Sequence, residues 1–153
     1  MDRSLQDTYS PTGMCFGCGP KNDKGLRIQS FPEGDGCVAH FRPEPHHLAF
    51  PGVLSGGICG ALLDCHSNWT AAWGLMRASG ADRPACTVTA QFAVTLKRPT
   101  PLDQILLLRA HIVALGADRA TVDAVIEASG VPTATCRGIF VAVREGHPAF
   151  HRW

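Results

Sequence analysis

Residues 51–64 read Pro-Gly-Val-Leu-Ser-Gly-Gly-Ile-Cys-Gly-Ala-Leu-Leu-Asp. Two adjacent glycines, Gly56 and Gly57, open a segment of helical periodicity, and each costs a helix about 1 kcal/mol relative to alanine. The first turn of a helix carries unpaired backbone N–H groups and a partial positive charge. Glycine leaves those donors uncovered, so an oxygen bearing negative charge can approach closely. That is the physical specification of an oxyanion hole. The alternative is that the pair lets the helix pass close to a strand; both readings stand at this point. Gly60, one turn on, suits packing.

Asp64 is the only carboxylate of that segment. At 100° per residue it lies ~120° from Ile58, the centre of the apolar stripe. Along the axis it is ~11–14 Å from the glycine pair, too far for one helix to aim both at one reacting atom. A two-fold partner could instead bring Asp64 of one protomer to Gly57 of the other. Asp64 is therefore either a surface or cap residue or the base or nucleophile of such a shared site.

Other reactive residues form weaker constellations. Cys15 and Cys18 make a C-x-x-C, but a closed zinc site needs four ligands. His46 and His47 match no standard knuckle spacing, so a turn with two half-buried thiols and no metal is expected. His46 or His47 could present an imidazole just ahead of the helix. Cys59 and Cys65 fall on or near the stripe and read as core. Cys65 and His66 are neighbours whose side chains diverge on a helix, which argues against a dyad. Ser55 lacks the first glycine of a G-x-S-x-G elbow and reads as an N-cap. Trp69 and Trp73 read as core or subunit interface, and Arg109 and His111 as solvated or interfacial.

The elements that must position these groups follow from hydrophobic period. Residues 1–24 are polar and rich in Gly and Pro. Two short strands are expected at 26–31 and 36–42. From Leu54 through Ile58, Ala61, Leu62, Cys65, Trp69, Trp73 and Met76, apolar residues recur every three or four positions, predicting one long helix that ends before Gly80. Four strands follow at 87–97, 103–114, 119–128 and 131–144, joined by tight turns and therefore antiparallel. In the first, the even positions Val88 to Leu96 are apolar, so one face is expected to be buried. A single helix excludes doubly wound architectures. The expected class is α+β, one curved antiparallel sheet wrapped round one helix, with 25–145 as the domain and 146–153 as a tail. An exposed sheet edge of this kind is commonly covered by a second copy.

Composition bounds the function classes. The chain has 153 residues, 45% hydrophobic and 18% charged, with a net charge of +1. It is one globular domain with no footprint for nucleic acid or an anionic membrane. No stretch reaches the ~20 apolar residues of a membrane span, and no secretory h-region opens the sequence. Seven cysteines, an odd number, fit reduced thiols in a cytoplasm better than a disulfide scaffold.

Four segments together resemble one family: Cys-Phe-Gly-Cys-Gly-Pro-Lys-Asn-Asp-Lys-Gly-Leu (15–26), Phe-Pro-Gly-Val-Leu-Ser-Gly-Gly (50–57), Ala-Leu-Leu-Asp (61–64) and Thr-Ala-Gln-Phe-Ala-Val-Thr-Leu-Lys-Arg-Pro (89–99). In this order they are similar to the hot-dog-fold thioesterases of the phenylacetate-pathway, 4-hydroxybenzoyl-CoA thioesterase-like type, over roughly residues 15–145. The resemblance implies hydrolysis of acyl-CoA thioesters, with no cofactor beyond the CoA thioester substrate. It also implies a homodimer or dimer of dimers with the site at the subunit interface. Gly57, with Gly56, would polarise the thioester carbonyl, Asp64 would act as nucleophile or general base, and Thr89 would help hold the water. Ser55, Gly56, His47, Lys97 and Arg98 would contact substrate, the last two through CoA phosphates. Relatives carry His, or sometimes Asn, where this chain has Ser55. That departure leaves a second expectation, a non-catalytic or weakly active hot-dog protein that binds an acyl or CoA-like ligand. It also argues against a hot-dog dehydratase.

Overall fold

The computed structural model describes residues 2–150. The expected tail at 146–153 therefore lies partly outside the described residues. Helix α1 (Leu5–Tyr9) is followed by strands β1 (Phe31–Glu33), β2 (Gly36–Phe41), β3 (Leu48–Phe50) and β4 (Val53–Leu54). Helix α2 (Gly56–Ser79) comes next, then β5 (Thr87–Leu96), β6 (Leu106–Leu115), β7 (Arg119–Ala128) and β8 (Val131–Ala142). Six strands form one antiparallel sheet in the order β1-β2-β6-β7-β8-β5, and β3 pairs with β4 in a separate hairpin. The expected α+β class, one long helix against a curved antiparallel sheet, is what the chain forms.

Helix α2, expected to end somewhere before Gly80, ends at Ser79. Gly80 adopts a left-handed conformation (φ 69°) and its N–H bonds back to Arg77, a geometry that glycine adopts without a Cβ clash. The β7–β8 turn uses positive φ at both Ser129 and Gly130, the mirror-image turn that matches strand twist. From His66 to Leu75 every residue of α2 is buried, so the helix is enclosed all round rather than along one stripe. The sheet covers one side. Leu5, Cys18, Leu26 and Ile28, from the chain ahead of β1, cover the other and join the same core. A helix closed in this way needs apolar residues on every face, which explains why Trp69, Ala71, Ala72 and Trp73 are all buried.

The first short strand forms at Phe31–Glu33 rather than at the expected 26–31, and two larger expectations change. Strand β5 does not pair with β6; it leaves the meander and lies against β8 at the sheet edge. The Lys97–Ile105 connection is therefore a crossover, pinned by Leu54 N–H to the Thr100 carbonyl (2.8 Å) and Lys97 N–H to the Thr133 carbonyl (2.8 Å). Prolines at 99 and 101 prevent a tight hairpin there. Second, the even face of β5 is not uniformly buried: Phe92 is 43% and Leu96 57% exposed. β5 is the edge strand, so no further strand covers these side chains; a register shift against β8 between Thr89 and Gln91 moves Thr89 onto the side that Phe92 and Leu96 share. Ala90 is the extra residue of a β-bulge, which reverses the alternation of side chains across it.

His66 lies at the centre of a buried polar network. Its Nδ1 is 2.8 Å from Ser30 Oγ and its Nε2 3.1 Å from the Cys37 carbonyl. Gln6 in turn donates to Ser30 Oγ (3.1 Å) and accepts from Ser30 N–H (2.8 Å), tying α1 to α2. Because Nε2–H must donate to a carbonyl, Nδ1 accepts from the Ser30 hydroxyl, the pattern of a neutral imidazole. Burial lowers the His66 pKa to about 4, partly offset by the Cys37 carbonyl. Between pH 6.5 and 4 the unfolded chain takes up a proton that the folded chain refuses. Stability contributed by this site is thus intact above about pH 6.5 and falls as the pH drops towards 4, by about 3 kcal/mol. Urea midpoints measured across that window should decline in the wild type and decline less in His66→Gln.

Candidate active site

The face of α2 that carries Gly56, Gly60 and Asp64 runs along β5. A Cβ added at Gly56 would meet Leu96 Cδ1 at 3.0 Å, and one at Gly60 would meet Phe92 Cε2 at 3.9 Å. One turn further, Thr89 Oγ1 donates to Asp64 Oδ1 at 2.6 Å. Positions 56, 60 and 64 of the helix thus stand opposite 96, 92 and 89 of the strand. The step from 92 to 89 is odd, and only the bulge at Ala90 lets both side chains reach the helix side. Sequence periodicity had put Thr89 on the face opposite Phe92; the bulge aims it at the carboxylate instead.

Asp64 is half-buried and faces the sheet rather than bulk water. Burial, and after it the Asp64 charge, push the Cys136 thiol on β8 up to about 11. The short O–H···O⁻ contact from Thr89 is of the charge-assisted kind. It fixes the carboxylate rotamer. His66 points away, into the core, and does not substitute for a base here.

At the start of α2, Ser55 occupies the N-cap position, but its side chain makes no capping hydrogen bond. Its own N–H is held by the His47 carbonyl (2.9 Å), and its carbonyl accepts from Ile58 and Cys59 N–H at 3.1 and 3.0 Å. Those bonds begin the helical ladder at residue 58. Gly57 is exposed, and an added Cβ would meet only Ser55 Oγ at 3.7 Å, an ordinary contact. Close packing therefore does not require glycine at 57 within the protomer, and the same holds at Gly60.

A cleft of about 400 Å³ opens beside the helix start, lined by Phe50, Gly56, Cys59, Leu96, Lys97 and Arg98 among others. It brings Lys97 and Arg98 to the helix N-terminus. His47 does not join them. Its ring stacks on Phe41 (5.8 Å between centroids), and its Nδ1 accepts from Glu44 N–H at 3.0 Å. It lines a different cleft, with Lys24, Arg27 and Arg42. Burial first, and then the neighbouring His46, lower its pKa. Arg109 pairs with Glu33 at 3.2 Å.

No protein-family model matches the chain, and no curated protein does. Solved structures do. A thioesterase superfamily protein from Shewanella loihica PV-4 is 27% identical, with 91% of this chain and 99% of that one covered and a TM-score of 0.66. A hypothetical thioesterase from Streptococcus pneumoniae TIGR4, solved with coenzyme A, is 19% identical over 76% of this chain and 85% of that one, TM-score 0.64. A phenylacetic acid degradation-related protein from Ralstonia eutropha JMP134 is 18% identical over 76% and 86%, also TM-score 0.64. The chain is a hot-dog, thioesterase-like protein. Within that hot-dog frame, the face of α2 that runs along β5, with the cleft at the helix start, is the candidate site. Among the described residues, no helix is long and apolar enough to cross a membrane.

Phe92, Leu96 and Gly60 were not picked out as site residues from the sequence. The signal was present as a spacing of four, Gly56–Gly60–Asp64, which places all three on one helix face. One measurement isolates the helix start. Gly57→Ala should raise thermal stability, by about 0.5–1 kcal/mol, since the methyl has room and alanine is the better helix former. Thermal melts of the two proteins check this, and destabilisation would restore the close-packing explanation.

Proposed function

We propose that this protein hydrolyses acyl-CoA thioesters at a site shared by two copies of the chain. The observation that carries the proposal is the Thr89–Asp64 hydrogen bond of 2.6 Å, on the helix whose first turn offers the uncovered Gly57 N–H. The two groups are separated along α2 by roughly 10 Å, from 1.5 Å of rise per residue, so they serve one reaction only across a two-fold axis. The exposed edge of β5, with Phe92 and Leu96, and the neighbouring Phe50 at 57% exposure supply an apolar seam for the second copy. The S. pneumoniae neighbour, of the same fold, was solved with coenzyme A, in keeping with this ligand class.

In this reading the thioester carbonyl oxygen sits on the Gly57 N–H, with Gly56 beside it. Asp64 of the partner subunit takes a proton from water as the water oxygen attacks the carbonyl carbon. Negative charge gathers on the carbonyl oxygen, where the helix-start donors stabilise it more than they stabilise the substrate. The C–S bond then breaks, the thiolate recovers a proton, and a carboxylic acid leaves. If Asp64 attacks directly, the same donors serve, and water hydrolyses the resulting anhydride. Thr89 holds Asp64 in position in either route. Lys97 and Arg98 meet the CoA phosphates at the rim of the cleft.

A panel of acyl-CoAs with free-thiol detection tests the proposal. Asp64→Asn should lower kcat by about 10²–10⁴-fold. Thr89→Val should lower it by about tenfold or more, the value of one hydrogen bond to a charged group. Gly57→Ala, stable as it is, should lose about tenfold in kcat/KM, a fraction of a whole oxyanion donor. Ligand binding with no turnover in the wild type would defeat the hydrolase reading. Lys97→Ala with Arg98→Ala should raise KM with little change in kcat, most visibly at low salt. Sedimentation should give a dimer or larger, and a monomer that still turns over would defeat the shared site.

A further inference from the structure

The folded chain brings a third cysteine to the C-x-x-C. Cys15 and Cys18 lie on the loop ahead of β1, and Cys65 lies on α2, one residue past Asp64. Their three sulphur atoms lie within 4.8 Å of one another, and Cys15 Sγ to Cys65 Sγ is 3.8 Å. Around a tetrahedral zinc with Zn–S bonds of 2.3 Å, neighbouring sulphurs stand about 3.8 Å apart. The spacing is therefore that of ligands converging on one ion, and it is too long for a sulphur–sulphur bond of about 2.05 Å.

The loop is built to hold this arrangement. Gly19 N–H bonds to the Cys15 carbonyl (2.8 Å), Leu26 N–H to the Phe16 carbonyl (2.7 Å), and Ile28 N–H to the Gly17 carbonyl (3.1 Å). The backbone N–H groups of Gly17 and Cys18 both serve the Cys15 sulphur. Trp69 Nε1–H donates to Cys18 Sγ at 3.3 Å from within the core. Such outer donors orient and stabilise thiolate ligands. A Cβ at Gly17 would press on the Cys65 sulphur, so glycine lets the loop lie against the helix with that sulphur in place. Access is open: Cys15 is exposed, and a cleft of about 280 Å³ lined by Met14, Cys15, Cys18 and Trp69 reaches the cluster.

We propose that Cys15, Cys18 and Cys65 bind one soft d¹⁰ metal ion per chain. Thiolates select such ions, zinc(II) and copper(I) above all. Among the described residues the ligand group stops at three sulphurs. Zinc would complete its tetrahedron with a solvent molecule, and copper(I) would be satisfied by three. Binding displaces the thiol protons to the buffer. The ion clasps the N-terminal loop to α2 beside the candidate carboxylate. This proposal does not depend on hydrolysis.

Purified, reduced full-length protein is incubated anaerobically with zinc(II), or separately with copper(I), then desalted and assayed for bound metal. One equivalent per chain should be retained with at least one of the two, and the ion retained identifies the coordination. Cys15→Ser, Cys18→Ser and Cys65→Ser should each lose stoichiometric retention, while Cys59→Ser and Cys136→Ser keep it. Cobalt(II) substitution of the wild type gives a test free of mutants. Intense sulphur-to-cobalt charge-transfer bands are expected, because three thiolates bind. Retention of neither ion, retention undiminished in Cys65→Ser, or cobalt spectra without those bands would each overturn the assignment.

Discussion

Enclosure of α2 is the constraint on which the rest of this structure depends. A helix buried on every side across its central ten residues cannot be exposed without losing most of the core. Six strands on one side and the chain ahead of β1 on the other must both be in place. The lone histidine at its centre is tolerated because Ser30 and the Cys37 carbonyl satisfy both ring nitrogens. A buried ring with one unpaired nitrogen would cost a few kcal/mol. The polar N-terminal segment is thus part of the core through a few well-placed residues.

Outside that stretch the last turn, Arg77–Ser79, is exposed and the first turns of α2 are only partly covered. There the helix carries Gly56, Gly60 and Asp64, and the opposing strand is an edge. Gly56 and Gly60 let Leu96 and Phe92 of that strand approach the helix closely. A cleft opens at the helix start, and the carboxylate clamped by a hydroxyl lies further along the same helix–strand contact. The bulge at Ala90 serves this arrangement directly. Without it, Thr89 and Phe92 would lie on opposite faces of β5, and either the hydroxyl or the apolar wall would be lost.

The thiol cluster lies just past the same carboxylate on α2. Hydrogen bonding with the other two thiols, and with loop amides, holds the Cys15 thiol well below the usual thiol range. The shared hydrogen bond with Cys15 pushes Cys18 up to about 11, and Cys65 is raised as well. Three thiols that share hydrogen bonds, with solvent on one side and Trp69 on the other, are a concentration of soft donors. Elsewhere the buried thiols behave as small apolar side chains: burial raises the pKa of both Cys37 and Cys59.

Local pattern sufficed for much of this. Period-four apolar residues from Leu54 to Met76 marked the helix, Gly80 its end, and Ser129-Gly130 the hairpin, because each rests on contacts within a few residues. The glycine pair and Asp64 were visible as chemistry on that helix. Helix α1 and the β3–β4 hairpin were not, being too short for any period to register. Three decisions belong to the tertiary structure alone. The edge position of β5 depends on which strand wins β8, and no residue of β5 encodes it locally. Aiming Thr89 at Asp64 needs the bulge, which exists only against the β8 register. Adding Cys65 to Cys15 and Cys18 needs the loop folded onto the helix fifty residues away. Sequence by itself determined the elements and the residue types they carry, since those follow from short-range sterics and hydrophobic period. The meeting of distant side chains was left to the fold, because strand pairing and loop closure are contests between alternatives that only the whole core resolves.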